Sequence, residues 1–269
     1  DKSVAQKEFW AFFKAQGATS FGGVPYTYEM LDRMRFTRME LPTLTTLTQA
    51  GGKLLPELHR AYAQWCEKTG RQFIVMYGQC EATARMAYLP WEQSLTKIGA
   101  MGIPIPGGSF ELVDENGALI TEPNTTGELR YSGANVTLGY ATTGEDLIRG
   151  DDFGGVLDTG DMAQVDEDGY YIVVGRKKRF LKLFGNRVNL DEVERMLKAQ
   201  FPGVDIACAG RDDRLLLFAT DEAALPGMRA YIAEKTGLNI SGFVTVPIAA
   251  IPQNESGKTL YKELEKYDD

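Results

Sequence analysis

Histidine is nearly missing from this sequence: His59 is the only one in 269 residues. That excludes a metal centre built on histidines and leaves any Ser-His-Asp arrangement a single ring to use. Its setting, Leu58-His-Arg-Ala-Tyr62 just off the apolar stripe of a predicted helix, reads as structural rather than catalytic. Cysteine is scarce too, and Cys66, Cys80 and Cys208 are spaced for neither a disulfide framework nor a zinc site, which fits a reducing, cytoplasmic setting. No apolar run approaches the roughly 18 residues of a membrane span. Positive charge is in deficit: 29 Lys and Arg against 37 Asp and Glu leave a formal net charge of −8, which argues against general nucleic-acid binding. The Asn-x-Ser/Thr triplets at Asn124, Asn135, Asn239 and Asn254 read as chance occurrences. An initiator Met is lacking as well; the chain opens on Asp1 and runs at once into an apolar helix, as a fragment of a longer protein would.

The remaining composition, 43% hydrophobic and 25% charged, is ordinary for a globular protein, and the length suits one large domain or two unequal ones. Ser3-x-x-Gln6 reads as a capping box before a helix bearing Phe9, Trp10, Phe12 and Phe13, an aromatic face that needs a partner. Gly17 closes it. A short strand and glycine loop follow over 18–23, then a helix near 26–35 and an extended segment over 43–50. That segment ends in Gly51-Gly52-Lys53, where paired glycines let backbone approach a flat ligand or simply make a tight turn. Pro56 opens a helix that Gly70 stops, and the buried strand Phe73–Met76 runs into Tyr77-Gly78-Gln79-Cys80-Glu81. An aromatic ring and a carboxylate thus stand at the carboxyl end of a strand, where open α/β sheets bind ligands.

From Gly99 to Tyr140 the texture turns β-rich, with a strand over 110–113, an Asn116-Gly117 turn and Gly127-Glu-Leu-Arg-Tyr131; it reads as a small barrel appended to an α/β layer. Asp158-Thr-Gly-Asp161 reads as a turn ending on a carboxylate, and 163–174 as two strands joined at Asp166-Glu-Asp-Gly169. Then six cations, Arg176, Lys177, Lys178, Arg179, Lys182 and Arg187, crowd an irregular segment before Asn189 caps a helix. Taken alone, such a run is a solvated surface or a localisation-like patch. With the carboxylate turn beside it, it suggests a site for a polyol and a phosphate. Beyond it, a helix over 190–200, strands near 204–209, 215–219 and 243–246 and a helix over 226–236 form a compact α+β unit, with 175–179 as the joint. The tail, Pro252-Gln-Asn-Glu-Ser256-Gly-Lys258-Thr, is a near miss for a phosphate-binding P-loop: it lacks the leading glycine, and Lys258 by itself is a surface lysine or an arm reaching a phosphate.

In fixed order, Gly51-Gly-Lys-Leu-Leu, Tyr77-Gly-Gln-Cys-Glu81, Thr159-Gly-Asp161, Gly175-Arg176 through Lys182, Gly185, Arg187 and Glu194, and Ser256-Gly-Lys258 resemble the adenylate-forming superfamily of acyl-CoA synthetases, amino-acid-activating domains and luciferases. The likeness spans roughly residues 20–262. It implies the carboxyl-terminal part of a large α/β domain with a small β-barrel-like subdomain over 1–174, followed by a small mobile α+β lid domain over 175–269, hinged near Lys178. It further implies ATP or AMP and Mg2+ as cofactors, a small-molecule carboxylate as substrate, and coenzyme A or a carrier-protein phosphopantetheine thiol as acceptor. By the same resemblance the Gly51-Gly52 loop, Tyr77, Gly78 and Cys80 frame the nucleotide, and Glu81 takes the magnesium ion. Asp161, aided by Arg176, takes the ribose hydroxyls. Lys258 acts in adenylation, and Gly185 and Arg187 lie on the thiol side.

This sequence departs from the family pattern at several points. Cys80 replaces the usual threonine, and Arg179 and Tyr261 differ from the commonest residues. The Ser/Thr/Gly-rich phosphate loop and the upstream half of the large domain are expected before Asp1, so these 269 residues by themselves are expected to bind ATP poorly and turn over little. Phe21-Gly22 stands where amino-acid-activating relatives carry an aspartate for the substrate amine, so an acyl or aryl carboxylate without an amine is expected. The alternatives are a non-enzymatic binding or scaffold module that keeps the fold, and nucleic-acid binding through residues 176–187.

Overall fold

The computed structural model describes residues 3–254 and 257–268, which fall into two compact units, Asp1–Val174 and Gly175–Asp269. In the first unit the predicted capping box folds as a turn ahead of the helix. Ser3 N–H donates to Gln6 Oε1 at 3.0 Å, and α1 (Lys7–Ala15) starts one residue later. Its aromatic face finds its partner inside the unit: Trp10 packs 5.3 Å from Phe36 and Phe13 6.2 Å from Phe21, ring centre to ring centre.

Strands and helices then alternate as β1 (Ser20–Gly23), α2 (Pro25–Arg33), β2 (Thr46–Gln49), α3 (Pro56–Lys68) and β3 (Gln72–Tyr77). Pro25 and Pro56 sit in the first turn of their helices, where no backbone donor is needed. The three strands are parallel, and the register aligns Phe21, Leu47 and Phe73 across them. All three are buried, each contributing roughly 2 kcal/mol of apolar transfer. Two short antiparallel strands, β4 (Ala87–Tyr88) and β5 (Ile103–Pro104), complete a five-stranded sheet.

The expected barrel does not form. Strands β6 (Gly108–Val113), β7 (Gly127–Gly133), β8 (Val156–Val165) and β9 (Tyr171–Arg176) make an open four-stranded sheet in that order, with β6 and β9 at its edges. Its apolar residues Phe110, Leu112, Leu129, Tyr131 and Leu157 pack with Met86, Ala87 and Met101, so they are covered without closure. The β8–β9 connection is the predicted hairpin, with Asp166 N–H donating to Tyr170 O at 3.0 Å.

The second unit begins with a hairpin that the charge-rich sequence hides. β10 (Phe180–Leu183) pairs antiparallel with β11 (Asn186–Asn189) through Phe184 and Gly185, both at positive φ, +51° and +81°, as a type I′ turn requires. Leu181, Leu183 and Val188 point inward while Lys182 and Arg187 face each other on the exposed side. Asn189 then caps α4 (Leu190–Gln200), accepting from the N–H groups of Asp191 and Glu192. Strands β12 (Ile206–Arg211), β13 (Arg214–Ala219) and β14 (Phe243–Pro247) form a three-stranded sheet with β13 central and fully apolar over 215–219. One sheet face packs with α4 and α5 (Leu225–Thr236) through Val193, Leu197, Met228 and Ile232. The other meets Ile248, Ile251, Tyr261 and Leu264 of the tail, which includes α6 (Tyr261–Leu264).

His59 lies on the buried side of α3, 1% exposed. Gly99 N–H donates to its Nδ1 at 3.2 Å, which leaves the proton on Nε2 to donate to Ser94 Oγ at 3.3 Å. Burial pushes its pKa down from 6.5 to about 4. Between those values the unfolded chain binds a proton that the folded chain refuses, so stability falls as the pH drops from 6.5 towards 4, by on the order of 3 kcal/mol in all. Urea denaturation of the wild type and His59→Gln across that range checks this. The wild type should take up about one proton more on unfolding than the variant; equal pH slopes would assign the loss to other groups.

Candidate functional site

The parallel strands β1, β2 and β3 end side by side, so Gly22-Gly23, Gly51-Gly52 and Tyr77 to Glu81 share one sheet edge. Ala50 N–H donates to Gly23 O at 3.1 Å and ties the first two loops together. Gln49 is fully buried and donates to Gly52 O at 2.8 Å, while its Oε1 has no hydrogen-bond partner among the described residues. A buried acceptor left so costs stability until a donor reaches it. Gly51 and Gly52 are exposed, and Lys53 Nζ donates to Val173 O at 2.8 Å.

After Tyr77 the chain makes a tight loop. A Cβ at Gly78 would lie 2.5 Å from the Ala84 carbonyl oxygen, so only glycine lets the two backbones approach. Thr83 and Ala84 take φ of +53° and +65°, a left-handed strain that a β-branched residue tolerates poorly. Asn135, whose Oδ1 accepts from Tyr131 OH at 2.8 Å, holds the loop by donating to Ala82 O at 2.7 Å and Arg85 O at 3.0 Å. Within the loop Cys80 is exposed, and the Glu81 carboxylate accepts from Tyr140 OH at 2.7 Å, which raises the Tyr140 pKa.

Asp161 is not in a turn. It lies inside the ten-residue strand β8, in a bulge: Thr159, Gly160 and Asp161 stand against the single residue Leu129 of β7. Such a bulge re-aims a side chain. Thr159 Oγ1 donates to Leu129 O at 2.7 Å and accepts from Asp161 N–H at 3.1 Å, which fixes the bulge. The buried Asp161 carboxylate accepts from Tyr77 OH at 2.6 Å and from Gln79 Nε2 at 3.0 Å. Gln79 also donates to Thr159 O at 2.9 Å. Two motifs 84 residues apart are thereby one object, and Gln79 and Thr159, not singled out from sequence, join them. Only their place within the two motifs could have marked them.

Arg176 ends β9 and is exposed, as are Lys178 in the turn Lys177–Arg179 and Gly185 at the β10–β11 turn. Arg187 stacks 4.3 Å from the Phe180 ring centre. Lys258 is exposed at the end of a short hairpin, and the Ser256 of its motif lies outside the described residues.

A carboxylate aimed by a bulge, with a phenol and an amide beside it at strand ends, fits a vicinal diol such as a ribose. No cluster of three or more His, Cys, Asp or Glu side chains suited to a metal occurs among the described residues. A magnesium ion held by Glu81 would therefore have to bring phosphate oxygens with it, as this ion commonly does.

The profile of the AMP-binding enzyme family matches residues 1–141. The 4-coumarate–CoA ligase-like 2 protein of Arabidopsis thaliana is 30% identical over 247 residues, covering 86% of this chain and 42% of its own. An L-proline–[L-prolyl-carrier protein] ligase of Streptomyces coelicolor is 33% identical over 174 residues, covering 61% of this chain and 32% of its own. Among solved structures, o-succinylbenzoate coenzyme A synthetase from Bacillus subtilis in complex with AMP matches with a TM-score of 0.72 at 22% identity, over 98% of this chain and 54% of that one. The chain thus spans less than half the length of these two ligases and about half of the solved structure. With the match over more than half of its residues, this chain belongs to the AMP-binding enzyme family.

Proposed function

We propose that this chain contributes the carboxyl-terminal part of the large domain and the small domain of a ligase that activates a carboxylate with ATP and passes the acyl group to a thiol. The observation that carries the reading is the Tyr77–Asp161 pair on the β8 bulge, in a chain of the AMP-binding family. On this reading Asp161 accepts from the ribose hydroxyls, with Arg176 assisting, while the exposed Gly51-Gly52 loop and Gly78 leave room for the adenine. Cys80 offers a weaker hydrogen bond to phosphate than a hydroxyl would. Glu81 would hold the magnesium that accompanies the phosphates, which would supply charge neutralisation. Lys258 stabilises charge developing between the carboxylate and the α-phosphate, and Lys178 is the pivot of the small domain, with Gly185 and Arg187 turned to the acceptor.

Relatives named as coenzyme A ligases and as a carrier-protein ligase support a thiol acceptor of one of those two kinds. Gly22 brings no carboxylate to meet a substrate amine, which favours an acyl or aryl acid. The free cysteines Cys66, Cys80 and Cys208 suit a reducing, cytoplasmic compartment, and no helix of the described residues is long and apolar enough to cross a membrane.

Carboxylate-dependent pyrophosphate exchange by the intact enzyme tests the reading. Lys258→Ala should lower the rate by about 10²–10³-fold, the cost of losing one donor to a developing charge. Asp161→Ala should raise the KM for ATP by about 10–100-fold, the worth of a hydrogen bond to a charged group. Wild-type rates in both variants would refute the assignment of these two side chains.

A further inference from the structure

Arg179 belongs to the exposed run of cations by sequence, yet it is only 8% exposed, while Arg176, Lys177 and Lys178 beside it are exposed. Its guanidinium is used on every side. Nε donates to Asp191 Oδ1 at 2.8 Å, Nη1 to Cys208 O at 2.6 Å and Nη2 to Glu194 Oε1 at 2.6 Å. Its flat face lies 3.7 Å from the ring centre of Tyr261, whose hydroxyl donates to the other Glu194 oxygen at 3.1 Å. Glu194, 5% exposed, also accepts from Cys208 N–H at 2.8 Å and has Lys198 Nζ at 3.5 Å.

Tyr261 is the first residue of α6, and the chain just before it carries Lys258. That stretch folds back on itself: Leu260 N–H donates to Pro252 O at 2.9 Å, Asn254 N–H to Lys258 O at 3.0 Å, and Lys258 N–H to Asn254 Oδ1 at 2.9 Å. The lysine therefore projects from a small hairpin whose base is held by Tyr261 on one side and by the buried Leu264 behind it. Removing one member of a buried ion pair leaves the other uncompensated, so the loss of Arg179 weakens the hold of Glu194 on Tyr261.

We infer that Arg179 is a positioning residue: through Glu194 and Tyr261 it makes the residue next to Lys178 and the hairpin bearing Lys258 parts of one rigid body. A turn of the backbone at the joint is then passed to the lysine without slack. The catalytic consequence rests on the reading of Lys258 as the adenylation lysine, whereas the mechanical coupling stands without it.

Hydrogen exchange and half-reaction kinetics on the intact protein separate the two. In Arg179→Gln the amides of 257–264 should exchange about tenfold faster or more, as expected when a hydrogen bond to a charged group is lost, while those of β13 and unit 1 keep their rates. Tyr261→Phe, which keeps the ring, should show a smaller acceleration in the same amides. Adenylation should fall about tenfold in Arg179→Gln with the KM for ATP unchanged, and thiol transfer from preformed acyl-adenylate should be spared. Adding Tyr261→Arg to Arg179→Gln returns a cation to Glu194 from the tail side, and should restore both the slow exchange and the adenylation rate. Unchanged exchange at 257–264 in both single variants overturns the coupling, as does uniform acceleration across the unit without rescue by the double variant. Absence of adenylation in the wild type would remove the reading of Lys258 and leave the exchange result to judge the coupling.

Discussion

The hydrogen bond from Tyr77 to Asp161 joins two sheets that the chain builds separately. One partner, Tyr77, ends β3, two residues past its last parallel partner and paired with Ala87 of β4. The other sits on an antiparallel strand that would hide it if the pairing were regular. The bulge at 159–161 and the close approach of Gly78 to Ala84 are the local irregularities that bring the two together at 2.6 Å. Each is locally unfavourable. Each is held by hydrogen bonds from side chains, Thr159 in the bulge and Asn135 in the loop, so the strain is fixed in place rather than relaxed.

The lone histidine and this pairing lie at different places in the first unit. A buried neutral imidazole on α3 serves packing, while the polar groups at the sheet edge are carboxylate, phenol and amide. Such a set is suited to binding and orienting a polar ligand. The proposed activation of a carboxylate with a nucleotide fits that division, because such a reaction relies on charge placement more than on acid–base exchange.

Much of this was legible from the sequence, and the misses have physical causes. Apolar runs punctuated by Gly17, Pro56 and Gly70 mark the first strands and helices, because local signals and tertiary packing agree there; their parallel pairing is set by tertiary contacts. Thr159-Gly-Asp161 carries turn residues, so its sequence alone does not distinguish a bulge from a turn; the partner strand does. The β10–β11 hairpin reads as irregular in sequence because its exposed face is cationic and its turn uses Phe184-Gly185 instead of Asn-Gly. The barrel was suggested by frequent turns, but closure depends on register and on what else covers the apolar face, here Met86 and Met101. Arg179 looked like one surface cation among six; its burial depends on Glu194 and Tyr261, which no local pattern ties to it.

On the proposed function, the bulged Asp161 is a preformed acceptor for the two hydroxyls of a ribose. Calorimetric titration of the intact protein with AMP and with its 2′,3′-dideoxy counterpart tests it most directly. The dideoxy compound should bind at least about tenfold more weakly, because it brings no ribose hydroxyls to the charged Asp161 carboxylate. That gap should close in Asp161→Ala. Equal affinities for the two ligands in the wild type would contradict the assignment.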